Sequence, residues 1–230
     1  MVERGQATQN RAKAQSRRNP SLTEQVLVQL REEILRGKLR PGATVNEPEL
    51  AERYGVSKTP VREALRLLAQ TGWVKVIPRR GYLIRPLALD DIREIFALRR
   101  MVEPSLAADC ARRADPEGTA RLKEMVDRHA DENDLDALID AAHNFHVQIA
   151  EMSGNSRGAE VISQLADEVN RLLHLMPRLE ENLKSVGEVT AHQNILKAIE
   201  NGDSDAAASL MEEHLKEAGR AMAQAFIDGP

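Results

Sequence analysis

Apolar positions along the chain recur mostly at intervals of three and four residues, the period of a helix with one buried face. The first such stripe is Val26, Leu30 and Ile34, opened by the capping box Ser21-Leu-Thr-Glu24 and closed by Gly37. Pro41-Gly42 then turns the chain, and Asn46-Glu-Pro-Glu49 opens a short second helix. A third helix starts at Lys58, with Ser57 at its cap, Pro60 in its first turn and Gly72 as its stop. The pattern changes next. Trp73-Val-Lys-Val-Ile77 and Tyr82-Leu-Ile84 are β-rich runs around the turn Pro78-Arg79-Arg80-Gly81, which predicts a two-stranded hairpin. Pro86 marks a boundary, beyond which the helical period runs to the end. Asp115-Pro116, Ser153-Gly154-Asn155, Pro177 and Asn201-Gly202-Asp203 punctuate that half. They predict helices near 89–114, 116–130, 134–152, 157–176, 182–200 and 204–227. The fold class is mostly α: a winged helix-turn-helix over 21–86, then an all-α six-helix bundle over 87–230.

The helix from Lys58 has two chemically distinct faces. At 100° per residue, Lys58, Arg62, Arg66 and Thr59 fall at about 0°, 40°, 80° and 100°. Ala64, Leu68, Val61 and Leu65 fall between about 240° and 340°. One face packs and the other is basic. A helix-turn-helix followed by a hairpin is a unit whose second helix fits the DNA major groove. Guanidinium groups at the hairpin tip can enter a narrow minor groove or grip phosphates. Ser57, Lys58, Thr59, Arg62, Arg66, Arg79, Arg80 and Gly81 are therefore the candidate contacts to double-stranded DNA. Any amphipathic surface helix shows two such faces, but here the basic hairpin follows at the distance a wing requires.

Charge sharpens this division. The net charge of −4 combines +4 over residues 1–20, +5 over 21–86 and −13 over 87–230. A basic N-terminal part attracts phosphate, and an acidic remainder is repelled by it. Residues 1–20, rich in Arg, Gln, Asn and Ala, read as a disordered basic arm, either a source of nonspecific DNA affinity or a solvated tail. Aromatic residues make up only 3% of the chain, which suits helix-on-helix packing. The single cysteine, Cys110, excludes an internal disulfide and reads as buried filler. No membrane-length apolar run and no signal-peptide core occur, so a cytoplasmic protein is expected. Neither GxSxG nor a phosphate-binding glycine loop is present.

Polar residues on apolar faces supply the candidate chemistry of the second half. Arg99 and Glu103 lie at about 340° and 20° on a stripe measured from Ile92, the middle of the face that should be buried. Two readings stand side by side: an internal i,i+4 salt bridge, and an arginine that holds a carboxylate ligand. His146, His192 and His214 each sit on the apolar face of a different predicted helix. Three neutral imidazoles facing one interior would suit a divalent transition metal with one position open. His129 also sits on an apolar stripe, so such placement is not rare in this chain, and periodicity alone favours histidines packed for structure.

These residues together resemble the GntR family of bacterial transcription regulators, in the FadR-like subfamily with an all-helical FCD ligand domain. Residues 49–72, ELAERYGVSKTPVREALRLLAQTG, match the family's DNA-binding signature at most positions. LRRMVEPSLAA at 98–108, FHVQIAEMSGN at 145–155, AHQNILKAIENGD at 191–203 and MEEHL at 211–215 carry the likeness into the second half. It covers residues 21 to 227, and six helices rather than seven look like the VanR-type branch. The resemblance implies that Arg62 contacts DNA. Lys58 stands where arginine is usual, which keeps the charge and loses the bidentate fork. It implies that His146, His192 and His214 bind one metal ion, Zn or Ni suiting an imidazole-rich shell. The family's fourth ligand, an acidic residue or Asn four positions before the first histidine, is here Ala142. His143 stands at the edge of the same face as a substitute, and water or effector are the other candidates for that place. Arg99 matches the position that lines the effector cavity. The expectation is a homodimeric, ligand-responsive regulator, most often a repressor, that binds a short inverted repeat and a small carboxylate. The rival expectations are a metal-dependent hydrolase fused to a DNA-binding module and an architectural DNA binder without a sensor.

Overall fold

The computed structural model describes residues 20–176 and 179–229, and these fall into two compact units. Residues up to Ile34 with Leu39–Arg85 form one, and Leu35–Lys38 with the chain from Pro86 onwards form the other. The predicted basic arm lies, but for Pro20, outside the described residues, as does the stop at Pro177.

The first unit is built from caps that its sequence announces. Helix α1 (Leu22–Leu35) starts at a reciprocal pair in which the Glu24 N–H donates to Ser21 Oγ at 3.2 Å and the Ser21 N–H to Glu24 Oε2 at 2.6 Å. Helix α2 (Glu47–Tyr54) is capped by Asn46, whose Oδ1 accepts from the Glu49 N–H at 3.0 Å. Helix α3 (Lys58–Gln70) buries Pro60, Val61, Ala64, Leu65 and Leu68, the face the periodicity assigned to the core. Ser57 occupies its N-cap, but the hydroxyl makes no capping hydrogen bond, which corrects the role expected of it.

The wing has three strands rather than the two predicted. Thr44–Val45 (β1) pairs antiparallel with Gly81–Ile84 (β3), which pairs in turn with Val74–Ile77 (β2), giving the order β1-β3-β2. Gly81 is required where these strands close. Its φ is +102°, and a Cβ there would lie 2.4 Å from the Val45 carbonyl oxygen.

The second unit is helical throughout its described length. Its long helices are α4 (Leu89–Arg113), α5 (Pro116–Asp131), α6 (Leu135–Met152), α7 (Ser156–Leu175), α9 (Val186–Glu200) and α10 (Ser204–Asp228). Short polar side chains open them: Asp115, Asp134, Asn155, Ser185 and Asp203 each accept a backbone N–H of the first turn. The helix predicted over 182–200 is split. A single turn, α8 (Glu180–Leu183), is followed by a break at which Ser185 begins α9 afresh. Helices α4 and α10 approach closely because Gly219 faces Phe96, whose Cγ would lie 2.9 Å from an added Cβ. Cys110 is fully buried in this unit, and burial pushes its thiol up to about 12, so it is inert filler. Among the described residues no helix is long and apolar enough to cross a membrane.

The caps make a direct prediction. Asn46→Ala should cost about 1 kcal/mol of stability, whereas Ser57→Ala should change it by less than about 0.5 kcal/mol. Denaturant titrations of the two variants check this, and equal losses would mean that the Ser57 hydroxyl caps α3 in solution.

Candidate functional site

The candidate DNA-contacting residues occupy the exposed side of α3 and the tip of the wing. Ser57, Lys58, Thr59, Arg62 and Arg66 are all exposed on the first, and Arg79 and Arg80 on the second. Arg79 adopts a left-handed φ of 64° at the turn. Arg62 has a partner that sequence reasoning missed. Its Nε lies 3.1 and 2.9 Å from the two Glu47 oxygens, and its Nη2 lies 2.8 Å from Glu47 Oε2. These hydrogen bonds hold the Glu47 carboxyl below its ordinary range. The pair joins the first turn of α2 to the basic face of α3, fifteen positions apart, where no periodic signal could reveal it.

In the helical unit, His146 on α6, His192 on α9 and His214 on α10 are brought together and buried. His214 Nε2 lies 3.2 Å from His146 Nε2 and 3.3 Å from His192 Nε2. The surrounding hydrogen bonds assign two of the three tautomers. Glu103 Oε2 lies 2.6 Å from His146 Nδ1 and its Oε1 lies 2.5 Å from Arg99 Nε. Burial alone would raise the Glu103 pKa, but the Arg99 charge, His146 and the hydrogen bonds from both bring it down to about 2. An ionised carboxylate only accepts, so His146 donates from Nδ1 and turns a bare Nε2 towards the cluster. A second relay fixes His192. The Leu183 carbonyl accepts from His129 Nε2 at 2.9 Å, so His129 Nδ1 is the acceptor in its 3.2 Å contact with His192 Nδ1. His192 therefore also presents a bare Nε2.

Burial, reinforced by the neighbouring histidines, pushes His192 and His214 well below the ordinary imidazole range. Three neutral rings thus crowd three nitrogens around a point, with at most the one proton of His214 between them. A tetrahedral ion bonded to imidazoles at about 2.0–2.1 Å would place its ligand atoms about 3.3–3.4 Å apart. The observed spacings of 3.2 and 3.3 Å fit that requirement.

The cluster borders a cavity whose walls are mostly apolar, with Phe96, Leu173 and Met222 among them. Arg99, His143, Asn170 and Glu188 supply polar groups, and Ala142 lines it without any donor atom. Arg99 thus forms the internal pair with Glu103 and also faces the cavity, its guanidinium carbon 5.3 Å from the centre of the Phe96 ring. His143 is not brought into the cluster. Its Nε2 faces Asp167 at 3.9 Å, and its buried Nδ1 has no hydrogen-bond partner. Burial pushes the Glu188 carboxyl up to about 7. Sequence reasoning missed this residue, and its spacing of four from His192 was the signal available.

Comparison with known proteins follows these two units. The profile described as "Bacterial regulatory proteins, gntR family" matches residues 22–84, and "FCD domain" matches residues 94–217. An uncharacterised HTH-type transcriptional regulator of Streptomyces ambofaciens is 30% identical over 192 residues, covering 83% of this chain and 80% of its own. The HTH-type transcriptional repressor RspR of Escherichia coli K12 is 24% identical over 211 residues, covering 90% and 92%. Among solved structures, a GntR transcriptional regulator from Rhodococcus sp. RHA1 superposes with a TM-score of 0.75 at 26% identity, covering 88% of this chain and 97% of its own. E. coli McbR/YncC shares the fold with a TM-score of 0.78 at 24% identity, covering 90% and 100%. The chain belongs to the GntR family of bacterial regulatory proteins, its DNA-binding domain followed by an FCD domain.

Proposed function

We propose that this chain is a ligand-responsive transcriptional repressor of the VanR-type branch that acts in the cytoplasm as a homodimer on a short inverted repeat. Residues 21–86 form its DNA reader and 87–230 its sensing and dimerising domain. Ser57, Lys58, Thr59, Arg62 and Arg66 present α3 to the major groove, and Arg79, Arg80 and Gly81 bring the wing to phosphates or the minor groove. RspR, named a repressor, supports the sign of regulation. The effector is a small carboxylate gripped by Arg99, beside one Zn or Ni ion on His146, His192 and His214.

One observation carries this reading: three imidazole nitrogens, two of their separations at metal-ligand spacing, converge beside an arginine on an apolar-walled cavity. The ion would supply a Lewis-acid contact for an effector oxygen. The chain's own residues do the rest. Arg99 orients the carboxylate, the apolar walls exclude water, and Glu103 and His129 hold the histidine rings. Effector alters DNA affinity only by favouring one arrangement of the two DNA readers, a coupling typically of about 5- to 150-fold. A three-histidine centre also suits hydrolysis, but the DNA reader on the same chain favours sensing, and a turnover screen of metal-loaded protein should find none.

Arg62→Ala should reduce preference for operator over random DNA by roughly 5- to 150-fold, while Arg79→Ala should weaken both alike. Operator titrations decide this, and undiminished preference in the Arg62 variant would contradict the recognition-helix assignment.

Purified protein should hold up to about one transition-metal ion per chain, removable by chelator and lost in His192→Ala. Adding Zn2+ or Ni2+ to stripped protein should raise its Tm. Protein from metal-supplemented growth that holds no metal, with a Tm indifferent to both ions, would leave the histidines a structural role alone.

Arg99→Lys keeps a positive charge beside Glu103 but loses the two-pronged grip. Its effector concentration for half-maximal operator release should rise at least about tenfold. An unchanged response would confine Arg99 to its pairing with Glu103.

A further inference from the structure

The three-histidine cluster has no carboxylate from α6, because position 142 is alanine. The fold brings one in from α9. Glu188 lies in the first turn of that helix, four residues before His192, so the two side chains share one face. Glu188 Oε1 is 3.8 Å from His192 Nε2, and Oε2 is 3.8 Å from His214 Nδ1. The carboxylate therefore flanks two of the three rings and lines the same cavity as His146, His214 and Ala142. Ligand atoms around a tetrahedral ion stand about 3.3–3.4 Å apart, so Oε1 is about half an ångström too far from His192 Nε2, and the carboxylate stands outside the group formed by the three histidine nitrogens. To join them the carboxylate must swing inward by rotation about the glutamate's own bonds. We propose that Glu188 is the fourth protein ligand of the metal, replacing from α9 the carboxylate that Ala142 does not carry; this rests on the metal reading above.

Charge supports the assignment. Three neutral imidazoles bring no negative charge to a divalent ion, and burying an uncompensated ion is very costly. The Glu103 carboxylate is already engaged by Arg99 and His146. Among the described residues that line the cavity, Glu188 is the one acidic side chain. Its backbone is fixed by the N–H donated to Ser185 Oγ at 3.1 Å, which anchors the turn that would carry the ligand. His143, the other candidate, has its Nε2 turned towards Asp167 on α7. The carboxylate-to-histidine spacing of four is thus transposed: missing at 142 and 146 on α6, present at 188 and 192 on α9.

The test measures Zn2+ affinity by chelator competition, and the visible spectrum of the Co2+-loaded full chain. Wild type is compared with Glu188→Gln, Glu188→Asp and the double variant Glu188→Gln/Ala142→Asp. Glu188→Gln should bind Zn2+ at least about 10- to 100-fold more weakly and shift the Co2+ bands. Glu188→Asp, which keeps the charge on a shorter stem, should fall between it and wild type. The double variant should regain most of the lost affinity, because Ala142→Asp supplies a carboxylate from α6, four positions before His146. Wild-type affinity and spectrum in Glu188→Gln would overturn the assignment while leaving the metal centre standing. Weaker Zn2+ binding with unshifted Co2+ bands would mark Glu188 as a distant charge and also overturn it. Absence of any metal binding in wild type would remove the metal centre itself, and Glu188 with it.

Discussion

The buried carboxylate of Glu103 is the constraint on which the helical site depends. It neutralises Arg99 one turn away on α4 and holds the ring of His146 on α6, with contacts of 2.5 and 2.6 Å. Removing one member of such a buried pair typically costs about 3–5 kcal/mol, because the partner charge is left uncompensated. The same carboxylate decides which nitrogen of His146 carries the proton. Structural pairing and chemical preparation of the ring are thus one interaction. His129 performs the neutral version of this task for His192, passing the constraint from the Leu183 carbonyl on α8. A one-turn helix at the cavity wall is therefore connected through two hydrogen bonds to a candidate metal ligand.

The DNA-binding unit uses a related device on an exposed surface. Glu47 holds the guanidinium of Arg62, which stands at the centre of the basic face of α3. Exposed pairs of this kind contribute little to stability, so the pair is better understood through what it does to the arginine. It limits the rotamers of a long side chain, and the proposed contact of Arg62 with a base edge would require the pair to be exchanged or shared.

Much of this was legible in the chain because local physics dominates helix ends. Asn46, Asp115 and Asp203 cap where their sequence neighbourhoods say they should, and the stripes of α3 and α4 identify their buried faces. The misses are tertiary or very short. Thr44–Val45 is too brief a strand to show a period, and only its pairing with β3 makes it one. The break before α9 was legible but missed: Ser185-Val-Gly-Glu188 repeats the Ser-x-x-Glu spacing that opens α1, and the Glu188 N–H donates to Ser185 Oγ. His146 meets Glu103 across 43 positions and His129 meets His192 across 63. No spacing rule spans such distances. The relay from His129 ends on a backbone carbonyl, which leaves no mark in a sequence at all.

The central claim is that His146, His192 and His214 form one metal centre through their Nε2 atoms. X-ray absorption at the metal edge of protein grown with supplemented Zn2+ or Ni2+ tests it most directly. The account predicts one light-atom shell at about 2.0–2.1 Å with multiple scattering from three imidazoles. A spectrum that fits fewer than three imidazoles, or protein with no edge signal above background, would contradict it.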